Sequence, residues 1–165
     1  MNSLLTQGKQ FVGAAFVLAA FFVSAAFAQE NVLLTVSNSS QSVIVELTEE
    51  DLLAMDQFSV FTENGFVDGL VEFTGPLARD VVALLDGAEV ETLTLTAVND
   101  YSVDIPMSDM LDYDVIFALT QNGERLSVRD KGPIWVIYPM TDNVELQDRV
   151  YNDRLIWQLV KVNVL

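Results

Sequence analysis

The chain contains neither cysteine nor histidine. No disulfide can staple it and no Cys/His metal site can nucleate it, so packing and backbone hydrogen bonding must hold the fold alone. The same absence removes thiolate nucleophiles, Ser-His-Asp triads and haem ligated by either residue. The apolar share of 51% and charged share of 19% suit a folded core, not a disordered chain. The charge is lopsided, with 24 Asp and Glu against 8 Lys and Arg for a formal net charge of −16. Such a chain is repelled by phosphate backbones and anionic lipid, which argues against a nucleic-acid partner and an anionic membrane surface.

The first residues read as an address. Lys9 gives a weak positive start, Phe11 to Phe22 is apolar, and Ala26-Phe27-Ala28 supplies a small-x-small cleavage site before Gln29. This layout predicts a secretory signal peptide over residues 1–28. The rival is an uncleaved anchor, since the 18 residues from Phe11 to Ala28 lie at the short end of a bilayer span. Membrane contact is expected only through this segment, and a lipoprotein is excluded because no cysteine can carry the lipid. Residues 29–165 then form a single domain long enough to bury one core. Loss of Lys9 takes the net charge from −16 to −17, because every acidic residue lies beyond residue 29.

Along the mature chain, Val32 to Val36 and Val43 to Leu47 read as strands. Thr48 caps a helix with acids in its first turn and Leu52, Leu53 and Met55 on its apolar face. Phe58 to Thr62 reads as a strand, with Asn64-Gly65 as a tight turn returning through Phe66 to Phe73. Pro76 opens a helix whose Leu77, Val81, Leu84 and Leu85 share a face and whose stop is Gly87. Thr92 to Val98 alternates as a half-buried strand, Asn99-Asp100 turns, and Tyr101 to Ile105 is extended. Ser108 caps a short helix through Leu111. Val115 to Thr120 and Glu124 to Val128 flank a second tight turn at Asn122-Gly123. Ile134 to Tyr138 and Leu155 to Val164 are the last strands, and residues 140–153 are irregular. Many short strands with two or three short helices give an α+β domain with a mixed sheet.

From about Thr48 onward the order of motifs resembles the oxidoreductase molybdopterin-binding domain, the fold of sulfite oxidase, in its short exported single-domain form. The resemblance is carried by Leu47-Thr48-Glu49-Glu50-Asp51-Leu52, Gly75-Pro76-Leu77, Leu85-Asp86-Gly87, Ala97-Val98-Asn99-Asp100-Tyr101 and Ile105-Pro106. It continues through Ala118, Asn122-Gly123-Glu124-Arg125-Leu126, Gly132-Pro133, Pro139 and Arg154-Leu155-Ile156-Trp157. It implies a periplasmic location and a molybdenum ion on a pterin, held by one cysteine thiolate. That cysteine would fall in or near Phe58 to Thr62, where this chain has Phe-Ser-Val-Phe-Thr. Ser59 and Thr62 do not substitute, because hydroxyls are hard ligands that stay protonated near neutral pH. The family's arginine two residues after the proline of its Gly-x-Pro-x-Arg segment corresponds here, matched at Pro133, to Trp135. No catalytic residue or metal ligand is therefore assigned and no cofactor is expected, with molybdenum-pterin as the alternative.

The candidate site is the basic stretch Arg125, Arg129 and Lys131, with Asn99 and Tyr101 on its rim, as a site for a small anion or a pterin phosphate. The competing reading is a turn whose cations balance Glu124 and Asp130. Asp104, Asp109, Asp112 and Asp114 form an acidic group, read as solvated surface in preference to calcium ligands, and Asp80 and Asp86 as solvent-facing. Of Trp135 and Tyr138, one is expected in the core and one exposed; Trp157 is expected to be buried. Three functions follow. The first is an exported non-catalytic module that binds a small anion, senses, or serves another envelope protein. The second is an active molybdenum-pterin oxidoreductase without a protein thiolate. The third is a ligand-free protein-interaction domain.

Overall fold

The computed structural model describes residues 31–85 and 90–165. The predicted signal peptide, Asp86 and the Gly87 helix stop lie outside the described residues. The architecture is α+β. Strands β1 (Val32–Asn38) and β2 (Val43–Thr48) form a hairpin, and helix α1 (Glu49–Ala54) follows. Next come β3 (Gln57–Thr62), β4 (Val71–Pro76), α2 (Ala78–Val82), β5 (Thr92–Ala97), β6 (Ser102–Pro106) and α3 (Met107–Asp112). The remainder is β7 (Ile116–Ala118), β8 (Thr120–Gln121), β9 (Glu124–Arg125), β10 (Trp135–Ile137), α4 (Arg149–Asn152) and β11 (Leu159–Val164). Short 3-10 turns at Val128–Asp130 and Val144–Gln147 complete the chain.

Among the described residues three sheets form: β2-β1-β11-β5-β6, the ribbon β10-β7, and β3-β4-β8-β9. Among these strands all pairings are antiparallel except β1 with β11, which places β11 in the middle of the largest sheet. The sequence alternation decides which face is buried. In β5, Leu93, Leu95 and Ala97 point inward while the threonines between them are half-exposed. In β11 the alternation fails, because Leu159 and Val162 are both fully buried although three apart. A register shift between Leu159 and Lys161 against β5 inserts the extra residue and restores both to the core.

The β7–β10 ribbon divides two cores. Phe117 and Leu119, with Ile134, Val136 and Tyr138, face the large core beneath the five-stranded sheet. Ile116 and Ala118, with Trp135 and Ile137, face a smaller core around Phe73, Val60 and Leu126. Burial on both faces explains why these two segments read as unbroken apolar runs. Gly75 lets β4 lie against this ribbon, since a Cβ there would sit 2.0 Å from the Phe117 carbonyl oxygen. Gly132, before a cis bond to Pro133, is as tight against Leu126, with 2.2 Å to its carbonyl oxygen.

Several predicted boundaries move. Asn64-Gly65 does not close a tight hairpin; β3 pairs with β4 from Thr62–Val71 to Gln57–Pro76, leaving residues 63–70 as a loop. The Asn64 side chain instead accepts from the Phe66 N–H at 2.9 Å, turning the chain into that loop. Pro76 ends β4, and α2 starts at Ala78 after an N-cap at Leu77. Leu77, Val81 and Leu85 are buried, but Leu84 is 42% exposed. Leu53 is likewise exposed beside the buried Leu52. Pro106, not Ser108, precedes α3. The return strand after Asn122-Gly123 stops at Arg125. The turn itself is as expected, with φ of 50° and 79°. Thr48 caps α1 reciprocally with Asp51, whose carboxyl is held below its ordinary pKa by the Thr48 hydroxyl and N–H.

Candidate functional site

Arg125 ends β9, Arg129 lies in the 3-10 turn that follows, and Lys131 closes that turn in the left-handed region at φ 68°. The tight Asn122-Gly123 turn and the close packing of Gly132 on Leu126 fold this stretch back on itself. All three cations consequently line one cavity of about 640 Å³, together with Gln121, Asn122 and Phe66. Asp68, Glu124 and Asp130 line it too, so the wall carries both signs of charge.

The three cations are not equivalent. Arg125 pairs with Glu49 of α1 at 2.5 Å and donates to the Leu119 carbonyl at 3.2 Å. Lys131 donates to the Phe66 carbonyl at 3.3 Å and lies over the Trp135 ring, 4.9 Å from its centroid. Arg129 makes no hydrogen bond or ion pair among the described residues. Asp130, its neighbour, accepts from the Ser127 hydroxyl at 2.6 Å. Chemically, the cavity offers one guanidinium open to a ligand and two cations with competing internal partners.

Asn99 and Tyr101 do not join this group. They line a second cavity of about 300 Å³ with Trp157, Asp153 and the buried Leu155 and Ile156. Phe66 alone lines both cavities. The β5–β6 turn at Asn99-Asp100 projects beyond the end of the five-stranded sheet, whereas the cations lie on and just after β9, the outer strand of the four-stranded sheet. Sequence proximity of motifs could not reveal that separation.

The segment expected to carry a metal ligand is β3. Its Ser59 hydroxyl bonds Glu72 at 3.0 Å and Thr74 at 2.9 Å. The Thr62 hydroxyl is fully buried; it accepts from the Met140 N–H at 3.0 Å and donates to the Glu63 carbonyl. Trp135, where the family's arginine would stand, is a core residue. Its ring meets Phe73 edge to face at 5.2 Å, and its N–H donates to the Leu155 carbonyl. Trp135 and Tyr138 are both fully buried, so the expected division between core and surface is corrected. The ribbon sends them to opposite cores, and each finds a partner for its polar atom. Trp157, expected in the core, is 37% exposed because it precedes the strand at the rim of the second cavity.

The acidic group also divides. Asp104, Asp112 and Asp114 are exposed, Asp104 accepting from Thr94 and Asp114 pairing with Arg79 at 2.8 Å. Asp109 is not solvated surface. It is 5% exposed and its Oδ2 accepts from both the Tyr138 hydroxyl, at 2.9 Å, and the Arg154 guanidinium. Burial first, then the Asp109 charge, pushes the Tyr138 phenol well above its ordinary value. Burial works against the Arg154 charge, but Asp109 outweighs it and the guanidinium is held more firmly protonated. The helical spacing of α3 gives no hint of this, because Asp109 occupies a position that an apolar residue would fill.

A sequence model described as the oxidoreductase molybdopterin binding domain matches residues 32–142. No curated protein sequence matches the chain. Among solved structures, the sulfane dehydrogenase SoxCD from Paracoccus pantotrophus is similar, with a TM-score of 0.62 at 16% identity. The match covers 82% of this chain and 38% of that one, so the chain spans well under half of that protein's length. At that identity the likeness is one of fold.

Proposed function

The chain belongs to the oxidoreductase molybdopterin-binding domain family, and from that premise we propose that it is an exported, periplasmic member working without redox catalysis, as a small-anion-binding, sensing or accessory module. The observation that carries the reading is Arg129, which lines a cavity beside Arg125 and Lys131 and has no partner among the described residues. On a chain of net charge −16, three cations gathered at one cavity give an anion a local attraction, which Asp68, Glu124 and Asp130 on the same wall partly offset. Donor chemistry supports the absence of molybdenum catalysis. The resemblance implies a thiolate ligand; the chain has no cysteine, and the hydroxyls of Ser59 and Thr62 are taken up by neighbouring groups. This donor set does not fit a metal held through soft sulfur.

A thermal-shift screen with phosphate, sulfate and nucleotides tests the proposal, because a ligand that binds only the folded chain raises its melting temperature. The expected result is a rise with at least one of these anions that disappears in Arg129→Glu. No response to any of them overturns anion binding. Metal analysis of protein from an export-competent host addresses catalysis, and near-stoichiometric molybdenum would establish the oxidoreductase alternative instead. The interaction-domain reading draws on β3, an outer strand that exposes Phe58 and Phe61.

A further inference from the structure

The second cavity has a composition unlike the first. Phe66, Tyr101 and Trp157 reach it from three separate segments: the β3–β4 loop, the residue after the β5–β6 turn, and the approach to β11. The three residues remain 38%, 50% and 37% exposed, so three large aromatics line one opening of about 300 Å³ and are not buried in the core. They are held in place. Phe66 and Trp157 meet edge to face at 5.1 Å and 77°. The Tyr101 hydroxyl donates to the Asp153 carbonyl at 3.4 Å, and its N–H to Asn99 at 3.2 Å.

The cavity's one charged lining residue is Asp153, whose carboxylate has no hydrogen-bond or ion-pair partner among the described residues. The cations nearby are committed elsewhere. Lys131 lies over Trp135 and lines the other cavity, while Arg154 turns inward to Asp109. Aromatic faces carry negative potential and attract cations, most usefully a cation too weakly hydrated to prefer water. Several rings around one opening, an unpartnered carboxylate and a strongly acidic chain all favour the same class of guest.

We propose that this cavity binds a small organic cation of the quaternary ammonium class, seated among Phe66, Tyr101 and Trp157 with Asp153 as its counter-charge. The inference stands apart from the anion site, with which it shares only Phe66.

Calorimetric titration of the full chain with choline, tetramethylammonium and the neutral choline isostere 3,3-dimethylbutan-1-ol tests it. Choline and tetramethylammonium should bind saturably, and the neutral isostere about tenfold more weakly, since it has the shape without the charge. Tyr101→Ala and Asp153→Asn, both at exposed positions, should each weaken choline by about fivefold. Should Tyr101→Ala lose its near-ultraviolet circular dichroism, Tyr101→Leu supplies apolar volume without a ring face. Arg129→Glu should leave choline binding within about twofold, because the two cavities are separate. Equal binding of choline and its isostere, which marks a merely apolar pocket, overturns the proposal. So does the absence of binding at tens of millimolar.

Discussion

Asp109 and Arg154, 45 residues apart in sequence, form an ion pair whose side chains are only 7% and 17% exposed, and Tyr138 donates its hydroxyl to the same carboxylate oxygen. The pair ties α3 to the segment leading into β11, across the irregular stretch that follows β10. Arg154 is further held over the Tyr151 ring, at 4.8 Å. A buried pair of this kind adds little over well-packed apolar side chains, but breaking it strands a charge. Asp109→Ala should therefore destabilise the domain by about 3 kcal/mol, leaving both a guanidinium and a phenol unpaired. The double substitution Asp109→Leu with Arg154→Met should cost less than either single change. Urea denaturation measures both, and a double variant as unstable as the sum of the singles would refute the coupling.

The same cluster sets an alkaline limit. The Tyr138 pKa is raised by burial and by Asp109, so the folded chain holds that proton more tightly than the unfolded chain does. The contribution is complete below the unfolded value of 10.0 and is lost as pH climbs above it. The domain should accordingly unfold cooperatively in alkali, with Tyr138 ionising as near-ultraviolet circular dichroism disappears. Tyr138→Phe should shift that transition to higher pH while leaving the Asp109–Arg154 pair in place. Ionisation of all four tyrosines in a chain that keeps its tertiary signal would contradict this.

Local rules rendered much of the fold legible. The alternation of β5, the Thr48 cap and the Asn122-Gly123 turn each depend on a few adjacent residues, and each is found where the pattern places it. What failed depended on distant contacts. Leu84 shares the i+7 spacing of the buried face of α2, yet the helix ends at Val82 and Leu84 turns outward. Trp157 alternates correctly as a strand residue, but the strand begins only at Leu159. Asp109 reads as surface because its partners lie 29 and 45 residues away. The candidate site divides for the same reason. Arg125, Arg129 and Lys131 are brought together by one local turn, whereas Asn99 and Tyr101 sit beside a cavity that sheet topology alone sets apart.

Arg125 provides a test of the cationic cavity that does not remove a cation. Its guanidinium is split between the cavity and Glu49, which holds it at 2.5 Å across from α1. Both partners are substantially exposed, with side chains 36% and 50% accessible, so the pair itself contributes no more than about 1 kcal/mol. Glu49→Gln should therefore scarcely alter stability in the absence of ligand. It should enlarge the anion-induced rise in melting temperature, because a competing carboxylate has been withdrawn from Arg125. At anion concentrations about tenfold above the dissociation constant, binding stabilises by about 1.4 kcal/mol, and tighter binding in the variant increases that further. Parallel thermal-shift titrations of the native chain, Glu49→Gln and Arg129→Glu should rank the response Glu49→Gln, native, Arg129→Glu. An unchanged response in Glu49→Gln would mean that Arg125 takes no part in holding the anion.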